Sequence, residues 1–185
     1  GHQFSPVEYA ACYAPGGRYP LPSSVLMTVA TARAAGVENV WVASPNPTPI
    51  SLAAAHIAGA DHLLAIGGAQ AIAAFAYGAG EIPRCDVIVG PGNRWVTAAK
   101  QIVSGLVSID MLAGPSELLV WADESANPRV VAADLLAQAE HDPDALPVLV
   151  TTDATLIAKV ESSIQDQLDQ LQTKSVAEAA MKNSF

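Results

Sequence analysis

The sequence predicts an α/β fold: a parallel sheet with helices on both faces, followed by part of a second α/β unit of similar build. Three observations predict it. Short runs rich in Val, Ile and Leu alternate with Ala-rich stretches of helical length along the 185 residues. Several of the short runs are apolar on both faces, as strands buried on both sides should be. Gly, Pro and Asn stand at the joints, where helices begin and end.

The expected strands are EYAACY (8–13), NVWVAS (39–44), HLLAI (62–66), DVIVG (86–90), VSID (107–110), ELLVWA (117–122) and PVLVTT (147–152). Between them lie helical windows at 23–35, 49–58, 69–77, 92–104, 128–141 and 154–172. Ser23 can cap the first helix, and Gly36 follows its end. Thr48 before Pro49 gives the second helix a cap and a first-turn proline, with Gly59 to close it. Asn127 before Pro128 repeats that arrangement. The Gly-Pro turn in AGPSE places a boundary near 114–117.

Hydrophobic residues make up 51% of the chain and charged residues 15%, which suits a packed core rather than a disordered segment. A net charge of −9 with no basic stripe argues against a nucleic-acid surface. No apolar run reaches the roughly 18 residues of a membrane span, and no basic-then-apolar leader opens the chain. Cys12 and Cys85 stand apart, without CxxC spacing, as in a protein of the reducing cytoplasm.

Three loops leave strands and enter helices: YAPGGRYPLPSS (13–24), IGGAQAI (66–72) and VGPGNRWV (89–96). Their glycines allow tight turns and close backbone approach, and a helix N-terminus behind such a loop presents N–H groups to an anion. None matches GxGxxG, so ordinary strand-to-helix turns remain an equal reading. Gln70 and Asn93 stand at helix starts, where an amide can meet a ligand or cap the helix. Tyr13 ends a strand and can stack on a ring or donate its hydroxyl. In LLAQAEHDPD, Gln138 and His141 are three residues apart and share a helix face. Amide oxygen and imidazole are both zinc ligands, but spacing alone favours a polar helix end.

Taken together, YAPGGRYPLPSSVLM, IGGAQAIAAFAYG, VGPGNRWVTAAK, IDMLAGPSELLVWAD and DLLAQAEHDPD resemble the histidinol dehydrogenase family, in the family's order and spacing, from about residue 8 to 172. The resemblance implies an incomplete Rossmann-like, NAD-binding domain over 8–116 and part of a sister domain over 117–185 that carries the zinc-ligand helix. It implies a zinc- and NAD-dependent dehydrogenase of the cytoplasm, homodimeric at full length, that oxidises L-histidinol through an aldehyde to L-histidine. It places Tyr13, Gln70 and Asn93 on NAD, Ser116 on the substrate, and Gln138 and His141 on zinc and at the border of the substrate. The small-molecule substrate is the expected partner, with no nucleic acid and no membrane.

The family's catalytic Glu-His pair lies in a Gly-Pro-Glu-His context that this sequence does not contain, and two more zinc ligands lie beyond the "AEH" helix. The chain is therefore expected to be the middle of a longer enzyme, with no catalytic residue of its own and weak zinc binding in isolation. Glu117 and Glu140 read as solvated or structural carboxylates, His56 and His62 as packing or surface residues. Two other readings stand beside histidinol oxidation. One is a related dehydrogenase of another alcohol, such as a sulfonated diol, for which Arg18 and Tyr19 are the residues to watch. The other is a non-catalytic nucleotide-binding module.

Overall fold

The structure, a computed structural model, describes residues 1, 3–16, 20–112 and 116–184. The chain divides into two compact units, Gly1–Gly114 and Pro115–Phe185.

The first unit alternates strand and helix: β1 Tyr9–Tyr13, α1 Pro22–Ala34, β2 Asn39–Ala43, α2 Pro49–Ala58, β3 His62–Leu64, α3 Gly68–Tyr77, β4 Val87–Val89, α4 Arg94–Val103 and β5 Ser108–Ile109. Its five strands form one sheet in the order β3-β2-β1-β4-β5. Every pairing is parallel, with Tyr9 opposite Asn39 and Ala10 opposite Val87. Side chains alternate along a strand, so β1 serves two cores. Ala10 and Cys12 pack with Val25 and Val29 of α1 and Ala54 of α2. Ala11 and Tyr13 pack on the opposite face with Ile72 and Phe75 of α3 and Val96 and Val103 of α4. Small residues in the central strand let helices on both faces approach closely.

The helix ends show which sequence signals act. Asn127 caps the helix Pro128–Ala139, α5, through the Arg129 N–H at 3.0 Å. Gly36 and Gly59 take positive φ, 86° and 88°, at the ends of α1 and α2. Ser23 does not cap α1: the helix starts at Pro22 with Leu21 at the cap position, so proline's fixed φ opens it instead. Thr48 occupies the cap of α2, but its hydroxyl meets Ser51 Oγ at 3.2 Å rather than a helix N–H.

The second unit contains β6 Glu117–Ala122, α5 Pro128–Ala139, β7 Leu146–Thr151, α6 Ala154–Leu168 and α7 Lys174–Met181. β6 and β7 pair in parallel, with Leu119 opposite Val148 and Trp121 opposite Val150. One core gathers Leu135 and Leu136 of α5, Leu156, Val160 and Ile164 of α6, and Ala177 and Ala180 of α7. The helix expected over 154–172 stops at Leu168, and α7 follows as a separate element. Asp153 caps α6 through the Thr155 N–H at 2.9 Å. No helix among the described residues is long and apolar enough to cross a membrane.

Candidate functional site

In the first unit the chain leaves β1 for a helix on one face of the sheet and leaves β4, its neighbour, for a helix on the other. Loops that diverge in this way open a crevice beyond the C-terminal ends of the two strands, where α/β sheets bind their ligands. Tyr13 and Asn93 both stand at this edge.

Tyr13 is only 3% exposed. Its hydroxyl accepts the Gly68 N–H at 3.0 Å, which ties the end of β1 to the start of α3. A phenol that accepts one hydrogen bond still carries a proton to donate. Asn93 caps α4: its Oδ1 accepts the N–H groups of Trp95 and Val96, each at 3.1 Å. The capping oxygen is thus turned to the helix, and the NH2 group is what the exposed side chain offers outward. Gln70 is exposed in the first turn of α3, whose cap position is Gly67, so it is not the cap. Gly90 has φ of 115°, and a Cβ there would lie 2.1 Å from the Tyr13 carbonyl oxygen. The backbones at the ends of β1 and β4 therefore touch, and only glycine fits between them.

The turn at Gly90 is gripped from below. Asp110 Oδ2 accepts the Gly90 N–H at 2.7 Å, and Lys100 Nζ donates to the Gly90 carbonyl at 3.0 Å. Lys100 also pairs directly with Asp110 Oδ1. Burial pushes the Asp110 carboxyl up, but hydrogen bonds from Lys100, Gly90 and Met111 and the Lys100 charge outweigh it, so its pKa lies below the ordinary value. Sequence reading missed both residues. The signal was a lysine on the stripe formed by Val96, Lys100 and Val103, the buried face of α4.

In the second unit, α5 ends at Ala139 rather than at 141, and His141 sits on the turn that follows, its N–H donating to the Gln138 carbonyl at 3.3 Å. Gln138 and His141 nevertheless line one cavity of about 250 Å³, with Leu118, Asp134 and Ala137. Gln138 Nε2 donates to the Ser116 carbonyl at 3.2 Å. That bond engages the amide through its nitrogen, and the oxygen is the atom a metal would take. Ser116 itself is exposed and precedes β6. The donor chemistry fits zinc, but two ligands are half of the usual four. Among the described residues no group of three or more His, Cys, Asp or Glu could hold a metal ion.

The remaining titratable residues named from the sequence have structural surroundings. Glu140 accepts the Thr173 hydroxyl at 2.8 Å, joining the end of α5 to the start of α7. Glu117 is exposed at the first position of β6, and His56 is exposed on α2. His62 stacks on Trp41 with ring centroids 4.0 Å apart. Cys12 and Cys85 are buried free thiols, and burial pushes them up to about 11 and about 12, so neither is a nucleophile at neutral pH. Arg18 and Tyr19 lie outside the described residues.

The family model described as histidinol dehydrogenase matches residues 1–185. Histidinol dehydrogenase from Thermus thermophilus is 56% identical over 96% of this chain and 43% of its own length. The Haloarcula marismortui protein of the same name is 53% identical over 99% of this chain and 44% of its own length. The crystal structure of histidinol dehydrogenase from Elizabethkingia anophelis superimposes with a TM-score of 0.92 at 45% identity, covering 97% of this chain and 43% of that one. The chain thus spans less than half the length of the relatives it matches.

Proposed function

The chain belongs to the histidinol dehydrogenase family, and from that premise we propose that it contributes the NAD-binding residues and part of the zinc site of an enzyme that oxidises L-histidinol to L-histidine. The observation that carries the reading is the pairing of Gln138 and His141 in one cavity, with the Gln138 amide oriented by Ser116. A polar helix end requires neither the shared cavity nor the fixed amide.

Tyr13 offers its hydroxyl proton to NAD, and its bond to Gly68 holds the ring in place while it does so. Asn93 offers its NH2 group while its oxygen caps α4. Gln70 adds a second amide from the first turn of α3. Gln138 and His141 hold zinc through the amide oxygen and an imidazole nitrogen and border the substrate, which Ser116 also contacts. When bound, zinc supplies Lewis-acid polarisation and orientation of the alcohol, and NAD accepts the hydride. A base must take the alcohol proton. Glu140 is engaged by Thr173, and no residue of this chain is assigned that role. Two buried, unpaired thiols support a cytoplasmic setting, and the family resemblance extends the reading to a homodimer.

The test is the full-length protein with histidinol and NAD, followed by NADH absorbance. Histidinol-dependent formation of two NADH per substrate, abolished by a zinc chelator and restored by zinc, is the expected result. Reduction of NAD by a sulfonated or simple diol with none by histidinol overturns the substrate assignment.

A further inference from the structure

Lys100 is 2% exposed and sits between Val96 and Val103 on the buried face of α4. A buried ammonium is costly unless it is paired and hydrogen-bonded, and a methionine would fill the same space without that cost. Here the charge is used. Nζ donates to the Gly90 carbonyl at 3.0 Å and to Asp110, and Asp110 returns Oδ2 to the Gly90 N–H at 2.7 Å. Both backbone polar groups of Gly90 are therefore held by one ion pair. At the neighbouring strand ends plain backbone bonds suffice: Ala14 N–H donates to Ala43 at 2.9 Å, and Ser44 N–H to Leu64 at 3.0 Å. At the end of β4 the chain must instead turn through φ of 115° against the Tyr13 carbonyl and, three residues later, place Asn93.

From this geometry we propose that Lys100 and Asp110 are positioning residues for the dinucleotide: their ion pair sets the Gly90–Asn93 turn between Tyr13 and the start of α4. The inference rests on the reading of this sheet edge as the NAD site. Neither side chain needs to touch NAD. Lys100 acts on the carbonyl and Asp110 on the N–H of a residue that only glycine can be, so the peptide groups on both sides of Gly90 are fixed before any ligand arrives.

The test uses the full-length protein with Lys100→Met, Asp110→Asn and the double variant, assayed well below the melting temperature of each. The expected result is a rise of about tenfold or more in the KM and Kd for NAD in each single variant, with KM for histidinol changed less than about twofold. The double variant is expected to be no worse than the weaker single, because the two act as one unit. Lower melting temperatures with NAD affinity unchanged, or equal increases in both KM values, overturn the proposal. Asp110→Asn preserves volume and an acceptor oxygen, so it carries the test if Lys100→Met does not fold. Absence of NAD binding by the unsubstituted protein overturns the functional reading itself, which separates the two failures.

Discussion

Asn93 has two duties on one amide: its oxygen caps the start of α4 and its nitrogen is left to the exposed side. The duties separate by substitution. Asn93→Ser keeps a capping oxygen and is expected to leave the melting temperature nearly unchanged while weakening NAD binding, as measured by titration calorimetry. Asn93→Ala loses both, and its expected stability loss is about 1 kcal/mol. Gln138 and His141 make a similar case. His141→Ala or Gln138→Leu in the full-length protein is expected to lower zinc content after dialysis, read by metal analysis, without moving the far-UV spectrum. Unchanged zinc content would remove both from the metal site. At this scale the sequence revealed residue types at useful spacings, such as the amide before α4 and the Gln–His pair. It did not reveal that the Gln138 amide is oriented by a backbone carbonyl, because Ser116 is brought to it only by folding.

Elements were legible where a local rule governs them. Asn127 before Pro128 starts α5, and Gly59 ends α2, because capping and left-handed backbone are properties of a few adjacent residues. That the helix expected over 154–172 stops at Leu168 was not legible: Gln170 and Leu171 continue the helical pattern past its end, whereas Leu168 packs with Ala177 and Ala180 of the separate helix α7 in one core. The turn after β4 depends on residues far along the chain, and two expectations follow. Gly90→Ala places a methyl against the Tyr13 carbonyl at a positive φ. It should cost at least about 1–3 kcal/mol in denaturant unfolding. The second concerns acid. Burial raises the carboxyls of Asp110 and Asp61, but Lys100 and Gly90 for the first, and Val40 and Arg33 for the second, hold both below their ordinary value. A depressed native pKa stabilises the fold above the unfolded value and loses that stabilisation as protons bind. The melting temperature should therefore hold near neutral pH and fall as pH drops through about 4 and below. The fall should be shallower in Asp110→Asn, which has no carboxyl left to protonate at that position.

At the scale of the whole molecule, alternation of strand and helix was the most readable feature, since an all-apolar strand has few places to go except between two layers of helices. The same rule marks what is unusual in the second unit. Leu119, Val148, Trp121 and Val150 share one face of the β6–β7 pair, and Trp121 is 79% exposed. An apolar sheet face open to water promotes association. The 185-residue chain is expected to bind a hydrophobic dye and to self-associate at micromolar concentration, and Leu119→Glu with Trp121→Glu should reduce both in dye fluorescence and light scattering. Sequence pattern could not show this, because the run ELLVWA reads the same whether one face of its strand is covered or two.

The two cysteines have a practical bearing on all of these measurements. With thiols pushed up to about 11 and about 12 inside the first unit, the native chain is close to silent toward maleimides at neutral pH. A cysteine placed at exposed Ser116 would then be the preferred attachment point for a reporter, giving a fluorophore or spin label beside the Gln138–His141 cavity without first removing either natural sulfur.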